Sequence, residues 1–191
     1  MTSDSPVPSR FFTVLGWVCI LLGLYVLVTT TVNHLQSLRL PRGPELQRHR
    51  ILTHVYHATV CLLSAFSMGG GFGLWKRRPW ALMLMSAAGG AWAAHGSWWL
   101  VWAAPRLLAA IQDLRDTAPL AALNLGFSIL TEALYLLFGL IVLGGLYHEA
   151  DRREFPLSHS PFTRHIFFAS AGSGMVPVGV IYSCLIYSGS P

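Results

Sequence analysis

Residues 73–84 read GLWKRRPWALML, with Lys76, Arg77 and Arg78 set between two tryptophans, Trp75 and Trp80. No Asp, Glu, Lys or Arg occurs in the run before this cluster, 51–75, or in the run after it, 80–105. Each run exceeds the roughly 20 residues that carry a helix across a hydrocarbon core about 30 Å thick. The four residues KRRP therefore read as a tight turn between two antiparallel membrane helices. Its cations sit at head-group depth, Trp75 and Trp80 anchor the interface, and Pro79 is tolerated near a helix start. Trp98, Trp99 and Trp102 mark the far end of the second helix. From Trp80 to Trp102 is about 33 Å of helix, one membrane thickness between two aromatic belts.

The same reading extends in both directions. Residues 11–32 and 166–191 carry no charged side chain, and 120–147 carries one, Glu132. Over all 191 residues, 53% are hydrophobic and 11% charged, against roughly 25% charged in soluble domains. The sequence predicts an all-α, polytopic integral membrane bundle forming a single transmembrane domain over residues 1–191. Its five spans run over about 11–32, 51–75, 80–104, 120–147 and 166–187. A four-span alternative leaves out 166–187, which carries Gly172, Gly174, Gly179 and Pro177. The first span is too long for the apolar core of a signal peptide and has no small-residue cleavage site after it, so it is expected to be retained. The segment PRLLAAIQDLRDTAP, 105–119, places Leu107, Ile111 and Leu114 on one helical face. It is expected to form a short interfacial helix over about 105–116.

A formal charge of +5 would suggest nucleic acid in a soluble protein. Here the cations flank spans, and no nucleic-acid partner is expected. Counts of Lys and Arg on the two sides nearly balance, so the short basic turn decides orientation. That places 76–79 and the N-terminus in the cytoplasm of what we read as a bacterial plasma (inner) membrane. Gly69 and Gly73, followed on the next span by Ser86, Gly90 and Ala94, form four-residue stripes of small side chains expected to join spans 2 and 3.

Glu132 is the residue of greatest chemical interest. A carboxyl group inside a span costs at least a few kcal/mol unless it faces the bundle and finds a partner. Helix depth places His57 and His95 in the same outer-to-middle layer of the bilayer. The expectation is a buried polar cluster of His57, His95 and Glu132, with His54 and Asn124 as additional members and Thr131 adding hydrogen-bonding capacity. Such a cluster serves as a structural lock, as a proton or ion site, or, with His54 and His57 at i, i+3, as a haem or metal ligand set. No P-loop, GxSxG, HExxH or CxxC is present, so the sequence names no catalytic residue, cofactor or metal. Cys19, Cys61 and Cys184 all fall within spans and are read as small apolar residues. The expected function is that of a non-enzymatic membrane subunit or scaffold, in contact with lipid and with other subunits or a second copy of itself. The alternatives are a small proton- or ion-coupled transporter and a haem- or metal-binding subunit.

Overall fold

The computed structural model describes residues 10–38, 46–113, 119–150 and 164–187. They form α1 (Arg10–Ser37), α2 (Leu46–Trp75), α3 (Trp80–Asp113), α4 (Pro119–Ala150) and α5 (Arg164–Tyr187). No strand occurs among the described residues. The protein is an all-α membrane bundle, and four of its helices are long and apolar enough to cross a bilayer: α1, α2, α4 and α5.

The exception is α3, and its position explains why. It is the central helix, packed against α2, α4 and α5, while α1 packs on α2. Ala81, Leu82, Met85, Ala88, Ala91, Trp92, Ala93 and His95 are all buried. A helix screened by its neighbours meets little lipid, so it can trade Leu and Ile for Gly, Ala, Trp and His without exposing polar atoms to hydrocarbon. The expected short interfacial helix is not a separate element. Residues 105–113 are the last turns of α3, which runs through Pro105 without a break. Proline there removes one backbone donor but leaves the remaining helical bonds to carry the chain onward.

Neighbours in sequence run antiparallel. Gly16 approaches Gly71 and Gly23 approaches Ser64, whereas Gly89 meets Val142 and Gly96 meets Leu136. α5 runs parallel to α3: Phe167 belongs to the same core cluster as Ala81 and Leu82, and Tyr182 reaches His95. Two interior layers result. Near the 76–79 turn the core is Phe12, Leu15, Cys19, Leu74, Leu82, Met85, Val142, Leu146 and Phe167. Toward the other end it becomes aromatic, with Trp92, Tyr182, Val26, Val60 and Val178 surrounded by Tyr56, Trp98, Trp99 and Tyr135.

The turn is built as the sequence suggests, with one addition. Arg78 N donates to Gly73 O (2.8 Å) and Arg77 N to Leu74 O (3.0 Å), the paired bonds of a Schellman cap. The residue such a cap puts in the left-handed region is usually glycine; here it is Arg77, at φ 54°. The three cations lie at the negative end of the α2 dipole, which offsets part of that strain.

The small-residue stripes divide their work differently from expectation. Gly69 and Gly73 do lie against α3, at Leu84 and at Ala81 and Trp80, with Gly70 beside them at Met85. Gly90, however, faces Ala171 of α5, and Ser86 bonds back to Leu82 O within its own helix. α3 has three neighbours, so a stripe read as one face is shared among them.

A buried tyrosine, glutamate and histidine cluster

Glu132 lies on the inward face of α4 because Gly96 lets the two backbones touch. A Cβ built on Gly96 would fall 2.6 Å from Glu132 O and 2.6 Å from Leu136 N. On the α4 side, a Cβ on Gly139 would meet Ala93 N and Gly89 O at 2.6 Å. These approaches hold the carboxyl group against His95, one residue before Gly96. The pair is buried, with His95 0% and Glu132 6% exposed.

Tyr56 of α2 donates its hydroxyl to Glu132 Oε1 at 2.9 Å. His95 Nε2 and Glu132 Oε2 face each other at 3.5 Å, and neither atom makes a hydrogen bond. On the far side of the imidazole, Tyr182 Oη lies 2.6 Å from His95 Nδ1. The Trp99 ring packs edge-on to Tyr182, with centroids 5.8 Å apart. The hydrogen of this Tyr182–His95 contact sits on Tyr182 Oη or on Nδ1 according to the imidazole tautomer. With Tyr182 donating, a neutral His95 carries its own proton on Nε2, aimed at Glu132. Four helices thus contribute to one chain: Tyr56 to Glu132, across a gap to His95, and on to Tyr182.

The expected cluster is therefore brought together in part. His95 and Glu132 meet. His57 does not join them; its Nδ1 lies 3.1 Å from His34 Nδ1, with His54 also stacked edge-on to His34 at a centroid distance of 4.9 Å. Consecutive helical residues point about 100° apart, so α2 can turn either Tyr56 or His57 to the centre, and it turns Tyr56. Thr131 is exposed and bonds back to Phe127 O at 2.8 Å. The side chain of Asn124 lies outside the described residues. Tyr56, Tyr182 and His34 were not singled out by sequence reasoning, and Trp99 was read only as part of an interfacial aromatic belt. The available signal was a tyrosine well inside a span, since a buried phenol needs a hydrogen-bond partner.

Among the described residues, no three or more His, Cys, Asp or Glu are arranged to hold a metal ion. Both ring nitrogens of His95 are turned toward protein groups, Tyr182 and Glu132, which leaves none aimed at a haem or metal cavity. What the arrangement can do is hold and pass a proton. A charge-assisted N–H···O bond runs about 2.7–2.9 Å, so closing the gap by well under 1 Å would join the two halves of the chain.

Fold and site together define a class, a polytopic helical membrane protein with a buried polar cluster in its interior. Among known protein families, curated proteins and solved structures, the comparisons found no match to this chain.

Proposed function

We propose that this is a small multi-pass protein of the bacterial plasma membrane that takes up a proton at the Glu132–His95 pair and has no enzymatic activity of its own. One observation carries the reading: a buried acid and a buried imidazole face each other at 3.5 Å with their nearest atoms unbonded. A purely structural lock satisfies its polar atoms, because each one left unbonded in hydrocarbon is costly. A proton-binding site has reason to keep the pair poised, since the gap closes when a proton arrives and opens when it leaves. Tyr56 and Tyr182 hold the two groups from opposite sides. In this reading the N-terminus and the 76–79 turn face the cytoplasm, by the placement of cations close to span ends.

The test is reconstitution into liposomes loaded with a pH-sensitive dye. The wild-type protein should show a pH-dependent proton signal that Glu132→Gln abolishes while the particle stays monodisperse. An equal signal from the two proteins overturns the reading.

A second reading, a subunit or scaffold of a larger membrane assembly, is favoured by a different observation. Gly126, Gly144, Gly172 and Gly179 have no heavy atom within 4 Å of where a Cβ would stand. Open glycines on α4 and α5 allow a further helix to approach closely. Stable co-purifying subunits in mild detergent support it, and a monodisperse single chain weighs against it.

A further inference from the structure

We propose that the 76–78 turn, together with the aromatic patch beside it on α1 and α2, is a binding site for an anionic phospholipid. The proposal is independent of the proton reading.

Three observations converge. First, Lys76 and Arg78 are exposed, and among the described residues neither they nor Arg77 forms an ion pair. Three adjacent cations at the end of a membrane helix repel one another unless an anion joins them. Second, the turn is fixed in shape. The two capping bonds at its α2 side, and Ala81 N donating to Arg78 O at 3.0 Å on its α3 side, hold the backbone, so little order is lost when an anion binds. Third, Lys76 stands directly above an exposed aromatic surface. Lys76 Nζ lies 4.1 Å from the centre of the Trp75 ring and 5.9 Å from that of Phe72. Trp75 in turn packs on Trp17 of α1 at 5.1 Å. Trp17, Phe72 and, one turn deeper on α1, Leu21 are exposed at 43%, 50% and 61%.

Charge above and apolar surface below match one molecule, a phospholipid with a net negative head group. Its phosphate would meet Lys76 and Arg78, and its glycerol and upper acyl carbons would lie on Trp17 and Phe72. Free phosphate meets only the upper half of this site. A zwitterionic lipid carries its own cation to the turn and loses the electrostatic gain.

The experiment uses the delipidated full chain in neutral detergent. Binding of a short-chain phosphatidylglycerol is measured against short-chain phosphatidylcholine and against inorganic phosphate. Phosphatidylglycerol is expected to bind in preference to both. The Lys76→Gln/Arg78→Gln variant should weaken that binding roughly thirtyfold, at roughly fivefold for each cation near a membrane surface. Should the variant fold poorly, raising salt on the wild-type protein serves instead and should erase the preference for phosphatidylglycerol. Equal binding of the two lipids, a salt-insensitive preference, or inorganic phosphate binding as tightly as phosphatidylglycerol would overturn the proposal.

Discussion

Glu132 gives the sharpest residue-level tests, because its two oxygens have different neighbours. Glu132→Gln keeps the shape and can still accept from Tyr56, so stability should change by no more than about 1 kcal/mol, the scale of a membrane hydrogen bond. Glu132→Leu removes the acceptor of the Tyr56 hydroxyl and leaves that donor buried and unbonded, at a cost of about 1–3 kcal/mol. Thermal unfolding in one detergent separates the two. If Leu is no worse than Gln, Tyr56 does not depend on Glu132. Tyr182→Phe probes the other half of the chain. It strips the partner from His95 Nδ1 and should also cost about 1–3 kcal/mol, although no charge is touched. An unchanged melting temperature would show that Nδ1 is satisfied some other way. At this scale the sequence pointed to Glu132 and His95, since a charged or imidazole side chain in an apolar run is conspicuous. It did not point to Tyr56 or Tyr182, whose rings resemble the apolar residues around them and whose hydroxyls matter only once a partner is in reach.

Between elements, glycine spacing sets how closely helices approach. Gly96→Ala adds a methyl group where Glu132 O and Leu136 N already lie at 2.6 Å, so α4 must move away from α3. Overpacking of this kind costs about 1–3 kcal/mol, and here it would also widen the His95–Glu132 gap. Gly144→Ala and Gly126→Ala meet open space and should be neutral or stabilising by up to about 1 kcal/mol through helix propensity. Equal melting temperatures for Gly96→Ala and Gly144→Ala would contradict the close approach of α3 and α4. The α2–α3 turn makes the opposite prediction. Arg77 occupies a backbone region that suits glycine, at φ 54°, so Arg77→Gly should raise stability by about 0.5–1 kcal/mol. A lower melting temperature would mean the Arg77 side chain makes contacts worth more than its backbone strain. The presence of the turn was readable from four residues between two apolar runs. Its left-handed residue was not, because nothing in KRRP resembles the glycine that usually signals one.

For the whole molecule, alternating helix directions fix topology. α1, α3 and α5 point one way and α2 and α4 the other, so reporters fused at the N-terminus and after Pro191 should report opposite sides. The N-terminal reporter is expected in the cytoplasm; signals from the same side would remove one crossing. Membrane location and helical class follow from the sequence alone, because the length of an apolar run and the cations beside it are properties of the chain read in one dimension. The status of α3 does not: its own hydropathy is modest, and only the surrounding α2, α4 and α5 show why it can afford glycine, tryptophan and histidine. The same holds for the buried cluster. Depth along each helix was legible from residue counting, which brought Glu132, His95 and His57 to one layer. Rotation about each helix axis was not, since a turn of 100° exchanges Tyr56 for His57. That angle is set by which backbones can touch, at Gly96 against Glu132 and at Gly71 against Gly16, and these contacts exist only in the folded bundle.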